Sequence, residues 1–334
     1  MKILLGGISY FSPRYGWACD NVESFDVVTA SGVMVRTSAK QFPDLYWALR
    51  GGGNNFGLVV NFNLRTIPCP KASSGTYMES DFRGLDEAFA YAATNAAQDV
   101  DAGLYLVYVH ANGLNLGLPV FYHADPVHGA QSPVWAGFDS GNLTAVGDTT
   151  RTRVLAEWAA ETMRDSPNGK RQLFYTLSTK ADVDMATYAR ERFFDTVAEI
   201  ADVPGIGPNI VYQAIGTPQL QQMQKDGGNA LGLDPSEGPI YIMLLAASWT
   251  HQADDARVTA YLSRVLRDIK SEALRRGLFS IEYQNVIASY GDANKARLND
   301  IAVRYDPAQV FQKLQPGYFK LDCAPTPGTG YYNI

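Results

Sequence analysis

Alternating apolar and polar residues near the start of the chain predict short β-strands. Residues 25–37 form two β-rich runs around Gly32, whose backbone can adopt a positive φ, so this segment predicts a hairpin. A short helix with proline near its first turn is predicted over 43–50, and alternation over 58–65 predicts another strand. Two prolines flank Cys69 and make a rigid exit, which we interpret as a domain boundary.

The middle of the chain has longer periodic segments, which predict helices and strands in mixed order. The predicted helices cover residues 85–97, 151–164, 182–200 and 254–276. The predicted strands cover residues 104–110, 116–123 and 240–248. The first two of these strands should form a hairpin across Asn112 and Gly113. This order of elements predicts an antiparallel sheet backed by helices, and therefore the α+β fold class.

The end of the chain is compact and rich in aromatic residues. A helix is predicted over 293–304, and the proline at 307 ends it. Residues 323–334 are rich in Pro, Gly and Thr and predict a frayed tail.

Composition narrows the class of protein. The chain has 334 residues, enough for two domains, and its 46% hydrophobic and 19% charged residues are ordinary for a globular protein. A net charge of −6 without a basic run argues against nucleic acid as a partner. No stretch approaches the roughly 18 apolar residues of a membrane span, so no membrane partner is predicted. The start of the chain has too few apolar residues for a signal peptide, and localisation stays open.

The residues that usually hold metals do not form a motif. The three cysteines do not have the spacing of a disulfide framework or a zinc site. The four histidines likewise show no metal-ligand spacing. No metal site is therefore predicted, and surface or strand positions are the ordinary interpretation of these histidines.

The strongest local motif is the glycine-rich run over 50–57. Consecutive glycines let backbone N–H groups approach a ligand closely and form an anion-binding concavity. The run is not a P-loop, because no Gly-Lys-Ser/Thr follows, and it precedes a strand, unlike the dinucleotide fingerprint. A glycine-rich turn between helix and strand is the equally weighted alternative.

Two further sets of residues have spacing that suits a ligand. Gly6 and Gly7 stand next to aromatic residues and suit the close approach of a flat ring, or else a tight turn with core aromatics. Tyr283 and Asn285 are two positions apart on a predicted strand, so their side chains share a face. A phenol and an amide there could orient a substrate and a cofactor, and surface decoration of the strand is the alternative.

Taken together, these motifs resemble a known family. The run from Gly6 to Asn21 and the run from Pro43 to Gly57 resemble the later part of the FAD domain in FAD-linked oxidases. The best match is the berberine-bridge-enzyme-like branch of the vanillyl-alcohol-oxidase superfamily, particularly its fungal members. The run 304–312, with Tyr283 and Asn285 before it, looks like that branch's C-terminal signature. The clear resemblance covers residues 6–68 and 281–321.

The resemblance implies a two-domain FAD-linked-oxidase fold. Residues 1–68 and 281–322 would form a discontinuous, incomplete FAD-binding domain. Residues 69–280 would form the substrate domain, whose antiparallel sheet covers the flavin in this family. Residues 323–334 would remain a frayed tail.

The resemblance also implies a function and a site. The implied reaction removes a hydride from a carbon next to oxygen or nitrogen of a small organic substrate, as in secondary metabolism, with FAD as acceptor. The implied catalytic residues are Tyr283, as base or substrate anchor, and Asn285, as its orienting partner. The positions that match the family's flavin-side segments are Gly6, Gly7, Gly51, Gly52, Gly53, Asn55, Phe56 and Gly57.

One part of the family pattern has no match in this sequence. Family members have an upstream segment with a His-containing glycine loop that attaches the flavin covalently, and no histidine here stands in that context. Covalent attachment of FAD is therefore not supported, and we expect residues 1–334 alone to bind FAD weakly. An upstream segment or a separate subunit is an expected partner besides the small-molecule substrate. A truncated, non-catalytic remnant or partner subunit is the alternative.

Overall fold

The computed structural model describes residues 2–68, 71–78, 81–138, 143, 147–164, 168–280, 287–315 and 320–321. The strands in these ranges are β1 (Val22–Val28), β2 (Met34–Ser38), β3 (Leu58–Leu64), β4 (Ala72–Met78), β5 (Ala102–Ala111), β6 (Leu114–His123), β7 (Gly147–Asp148), β8 (Arg151–Arg153), β9 (Arg171–Lys180), β10 (Gly207–Ile215) and β11 (Ile240–Trp249). The α-helices are α1 (Ser12–Tyr15), α2 (Pro43–Leu49), α3 (Phe82–Thr94), α4 (Leu155–Arg164), α5 (Val183–Thr196), α6 (Thr217–Gln222), α7 (Asp255–Arg275), α8 (Asp292–Tyr305) and α9 (Val310–Lys313).

The chain divides into two compact units. The first unit comprises the described parts of Met1–Pro68, Pro218–Ser236 and Ile281–Thr326. The second unit comprises the described parts of Cys69–Thr217 and Glu237–Ser280, and the tail predicted over 323–334 lies outside the described residues. Residues 218–236 lie in the first unit, although the boundaries drawn from the sequence include them in the segment 69–280. The roles of the units as FAD-binding and substrate domains stay predictions.

The first unit contains a small antiparallel sheet with the strand order β2-β1-β3. The hairpin predicted over 25–37 is confirmed, because Phe25 pairs with Thr37 and Gly32 has a φ of +79°. Pro43 begins α2, whose buried residues include Tyr46 and pack in the core of this unit. The turn and the proline thus determine the local structure as the sequence predicts.

The second unit is built on a larger antiparallel sheet. Its strands follow the order β7-β4-β6-β5-β10-β11-β9, and β8 pairs with β4 outside this path. One face of the sheet shares a hydrophobic core with α3, α5 and α7, in which Tyr212 and Met243 meet Phe89 and Phe193. The predicted α+β class, with an antiparallel sheet backed by helices, is confirmed.

Several elements differ from the sequence-based expectation. Residues 151–153 form β8 and not the start of a helix, because Arg153 pairs with Ala72 of β4 and α4 begins only at Leu155. Strands β9 and β10 were not predicted. Each lies beside β11, as in the pairs Leu177–Met243 and Tyr212–Met243, so their pairing partners are distant in sequence. Such pairing stabilises strands whose local pattern is weak.

Candidate functional site

The glycine-rich run over 50–57 forms the corner between α2 and β3 in the first unit. The N–H groups of Gly51 and Gly53 both donate to the carbonyl oxygen of Leu4, at 3.2 and 3.1 Å. The N–H of Gly52 donates to the carbonyl oxygen of Ala48 at 2.9 Å. All three amides predicted to line an anion-binding concavity therefore bond within the chain.

Backbone conformation and close packing explain why glycine occupies these positions. Gly51 and Gly53 have φ values of +119° and +72°, which side chains rarely adopt. A Cβ on Gly52 would lie 2.4 Å from the carbonyl oxygen of Ala48. A Cβ on Gly57 would lie 2.4 Å from Cγ1 of Val27. The turn between helix and strand, one of the two sequence interpretations, accounts for these glycines, whereas the amides of Gly51–Gly53 are already bonded and do not form the predicted anion-binding concavity.

Asn55 and Phe56 are buried in the same corner. The amide of Asn55 donates to the carbonyl oxygen of Gly52 at 2.8 Å, which closes the turn on itself. Its Oδ1 accepts a hydrogen bond of 3.0 Å from Gln312 on α9. Asn55 therefore links the glycine turn to the C-terminal part of the first unit.

Gly6 and Gly7 lie beside the glycine turn, because Leu4 accepts the hydrogen bonds of Gly51 and Gly53. The carbonyl oxygens of Gly6 and Gly7 accept from the N–H groups of Cys19 and Ala18. A Cβ on Gly6 would lie 2.6 Å from the indole of Trp17, so this glycine approaches a ring of the protein itself. The predicted cofactor-binding glycines of the two motifs are thus brought together.

The two predicted catalytic residues, Tyr283 and Asn285, lie outside the described residues. Beyond them, in the described residues, the hydroxyl of Tyr290 donates to the carbonyl oxygen of Gly51 at 3.2 Å. Further along, Arg297 stacks 3.9 Å from the ring of Trp47. The C-terminal motif that carries the resemblance therefore packs against residues 47–51 within the first unit.

Arg50 is a functional candidate that the sequence did not single out. Its side chain is fully buried, and its guanidinium lies 4.2 Å above the ring of Tyr46. It donates to the carbonyl oxygens of Lys225, Asp226 and Gly228. The only sequence signal was an arginine at the start of a glycine run, because its partners lie far along the chain.

Buried polar groups surround Arg50 in the first unit. Burial raises the pKa of Asp20, although its carboxylate accepts hydrogen bonds from Asn229 and from the N–H of Trp17. Burial also raises the pKa of the Cys19 thiol well above its usual range and lowers the pKa of Lys225. Desolvation therefore dominates the electrostatics of this cluster.

The described part of the chain has neither a candidate metal site nor a candidate membrane-spanning helix. No group of three or more His, Cys, Asp or Glu residues there could hold a metal ion. Within the same ranges, no helix combines the length and apolar character needed to cross a membrane.

Comparisons with known sequences identify fungal relatives. No family model matches the chain. An FAD-dependent monooxygenase of Fusarium proliferatum is 30% identical over 96% of this chain, and one of Cochliobolus heterostrophus is 29% identical over 96%. The chain spans 65% of the length of each of these relatives.

Comparisons with solved structures identify the fold. A berberine bridge enzyme variant superposes with a TM-score of 0.73 over 97% of this chain, at 17% sequence identity and 70% of its own chain. A xylooligosaccharide oxidase of Myceliophthora thermophila superposes with a TM-score of 0.71 over 96% of this chain, at 19% identity and 70% of its own chain. The resemblance drawn from the terminal motifs is confirmed: the chain has the fold of berberine bridge enzyme and related FAD-linked oxidases.

Proposed function

We propose that this chain belongs to an FAD-dependent oxidoreductase that removes a hydride from a carbon next to oxygen or nitrogen of a small organic substrate. The proposal rests on one observation: relatives named FAD-dependent monooxygenases match 96% of the chain, across both compact units. When bound, the flavin would supply the hydride acceptor. The residues of this chain would bind and orient the substrate and move its proton.

The sheet face opposite the helices in the second unit supports a small organic substrate. Val107, Val211 and Leu244 lie side by side on this face, since they are paired across β5, β10 and β11. All three are half-buried. Gln213 lies on the same face, two residues along β10 from Val211, and adds an amide to the apolar surface. Sites for small molecules combine such apolar surface with a few polar groups that set orientation.

Tyr283 stays the proposed base or substrate anchor, and Asn285 stays its proposed orienting partner. A free tyrosine has a pKa near 10, so a neighbouring donor or cation would have to lower it for Tyr283 to act as a base near neutral pH. Asn285 is the proposed donor, because alternation along the strand predicted from the sequence would put it on the same face as Tyr283. If Tyr283→Phe left turnover unchanged in the flavin-loaded protein, this assignment would be wrong.

The experiment begins with the protein isolated natively, together with any flanking sequence or subunit that accompanies it in the cell. We expect visible flavin absorbance that small alcohols, amines or sugars bleach under anaerobic conditions. Gln213→Leu should raise KM for the bleaching substrate and leave the flavin content unchanged. Gln172→Leu is the matched control, since Gln172 lies on the same face at the exposed end of β9. Absence of flavin from the natively isolated protein would overturn the proposal.

One observation favours the alternative, a non-catalytic protein that acts through interactions. The amides of Gly51, Gly52 and Gly53 bond to Leu4 and Ala48, so they supply no donors to a phosphate. A dinucleotide deprived of two or three charge-assisted hydrogen bonds, each worth roughly 1.5–3 kcal/mol, would bind orders of magnitude more weakly. Flavin content after gel filtration distinguishes the two: stoichiometric flavin excludes the alternative.

A further inference from the structure

The connection between β10 and β11 is unusually long, and its central part belongs to a different compact unit from the two strands. These strands are antiparallel neighbours, and Ile215 pairs with Ile240 at their ends. Ordinary hairpin loops need only about two to five residues. Here the connection is far longer, and its central part, Pro218–Ser236, folds into the first unit, although both strands belong to the second. A feature of the first unit must therefore hold this segment.

Arg50 forms the main hydrogen bonds that hold this segment in the first unit. Its guanidinium donates to Asp226 O at 2.8 Å, to Lys225 O at 3.3 Å and to Gly228 O. No carboxylate in the described ranges forms an ion pair with it. A buried cation without such partners is costly, so burial of Arg50 depends on these carbonyl groups. Docking of the segment and burial of the guanidinium are thus one event.

The backbone of the segment is bent to present these carbonyl groups. Asp226 has a φ of +54°, in the left-handed region that residues other than glycine seldom adopt. Its carboxylate pairs with Arg65 at 2.9 Å. Gly228 follows with a φ of +76°. A conformation of this kind persists only where its surroundings enforce it.

Two side chains of the segment bond back to the first part of the chain. The ammonium of Lys225 donates to the carbonyl oxygen of Tyr15 and, at 3.2 Å, to Oδ1 of Asn21. The amide of Asn229 donates to Asp20 at 2.8 Å. The segment is therefore held from both sides of the Arg50 guanidinium.

Residues 230–232, which follow the carbonyl acceptors of Arg50 in the chain, reach the glycine turn. The N–H of Ala230 donates to the carbonyl oxygen of Arg50 at 2.9 Å. Leu231 packs on Gly51, where a Cβ would lie 3.0 Å from its Cγ. A Cβ on Gly232 would lie 2.4 Å from the carbonyl oxygen of Tyr290. Residues 230–232 thus run closely between the glycine turn and the segment at Tyr290.

We propose that Arg50 is a positioning residue. Its guanidinium locks the β10–β11 connection onto the glycine turn and, through residues 230–232, fixes the segment at Tyr290 beside Gly51. In this assignment residues 230–232 dock on the turn formed by Gly51–Gly53. The run over 50–57 then serves to hold the β10–β11 connection, and Arg50 forms the hydrogen bonds that do so. The inference does not depend on flavin, so it can fail while the proposed oxidoreductase function stands.

The test is hydrogen exchange on the full chain with Arg50→Lys and Arg50→Ala. Lysine keeps the charge but cannot reach three carbonyl groups in a planar fork. Both variants should speed exchange at Ala230 and Gly51 about tenfold or more, the equivalent of one lost charged hydrogen bond. Amides of the β1–β2 hairpin should be unaffected. Added guanidinium ion should restore protection in Arg50→Ala, whereas ammonium ion should not.

Arg65→Lys is the matched control, because Arg65 pairs with the same Asp226 from a half-exposed position. It should leave the exchange of Ala230 unchanged. Equal acceleration in Arg65→Lys and Arg50→Lys, or failure of guanidinium rescue, would overturn the proposal. If the Arg50 variants do not fold, the wild-type chain suffices. The amides of Ala230 and Gly51 should then exchange through openings of the same free energy, and different free energies would overturn the proposal.

Discussion

Arg50 of the first unit and Arg190 of the second unit are both buried, and the two are held in different ways. In the second unit, Arg190 of α5 pairs with the carboxylate of Asp86 on α3 at 3.0 Å. In the first unit, Arg50 is held by three backbone carbonyl groups of a long connection. Both guanidinium groups lie over aromatic rings, Tyr46 for Arg50 and Tyr108 for Arg190.

The difference lies in what each arginine determines. Asp86 stands on a helix whose position the hydrophobic core already fixes, so its ion pair mainly sets how α3 and α5 meet. The carbonyl acceptors of Arg50 exist as a cluster only when residues 225–228 adopt one path. An arginine paired with a carboxylate therefore stabilises a packing arrangement, whereas one paired with carbonyl groups selects the conformation of a loop.

The largest expected effect comes from breaking the pair in the second unit. Asp86→Asn leaves the guanidinium of Arg190 with only the exposed Glu191, 3.8 Å away, as a charged partner. It also removes a carboxylate oxygen that accepts from both Thr187 and Arg190, so we expect the free energy of unfolding to fall by about 3–5 kcal/mol. Urea denaturation measures it. Asp184→Asn is the control, since the exposed Asp184 pairs only with the surface residue Arg83, and it should cost under about 1 kcal/mol. Similar losses in both variants would contradict a special role for Asp86.

An intermediate effect is expected at the tyrosines beside the two arginine sites. Tyr108 donates to the buried carboxylate of Asp86 at 2.7 Å, whereas Tyr290 donates to the neutral carbonyl of Gly51 at 3.2 Å. Tyr108→Phe should therefore cost about 1.5–3 kcal/mol and Tyr290→Phe about 1 kcal/mol. Chemical denaturation of the two variants in parallel tests the order. The reverse order would show that charge on the acceptor does not control the loss.

The smallest effect is expected in the pH dependence of stability. This dependence should differ between the surface pair Asp26–Arg36 and the buried pair Asp86–Arg190. Hydrogen bonds from Arg36 and then Asn61 lower the pKa of Asp26 from 3.8 to about 2. A lowered pKa in the folded state gives stability that is present above pH 3.8 and lost as pH falls towards 2. Asp26→Asn should flatten the stability curve between these values, measured as the urea midpoint against pH.

The buried carboxyl group should show the opposite sign. Burial raises the pKa of Asp86 despite its pairing with Arg190. A raised pKa gives stability that is complete below the ordinary value and lost as pH rises through the folded-state value. Asp86→Asn lacks this loss, so the cost of the substitution should be smaller at neutral pH than near pH 3.8. A change of the same sign in Asp26→Asn and Asp86→Asn would contradict this assignment.

The sequence predicted elements whose cause is local. Gly32 and the pair Asn112–Gly113 indicated both hairpins, and these residues have positive φ in the structure. Pro43 indicated the start of α2. Strands β9 and β10 were missed, since their stability comes from pairing with β11, which follows them in sequence. A weak local pattern is not enough to predict a strand whose partners are distant in sequence.

The candidate site followed the same rule. The flexibility of Gly51–Gly53 was evident in the sequence, but the acceptors of their N–H groups were not, because Leu4 belongs to another segment. The role of Arg50 was hidden for the same reason, since its partners lie at 225–228. The assignment of Tyr283 and Asn285 stays a prediction.

The path of the chain has a consequence for how such a protein can change by recombination. The first unit is assembled from three stretches, one of which, Pro218–Ser236, is encoded inside the second unit. A genetic crossover that replaced residues 69–280 as one block would also exchange the acceptors of Arg50. The two units must therefore diverge as a matched pair, and chimeras of related proteins should retain 218–236 from the same parent as Arg50.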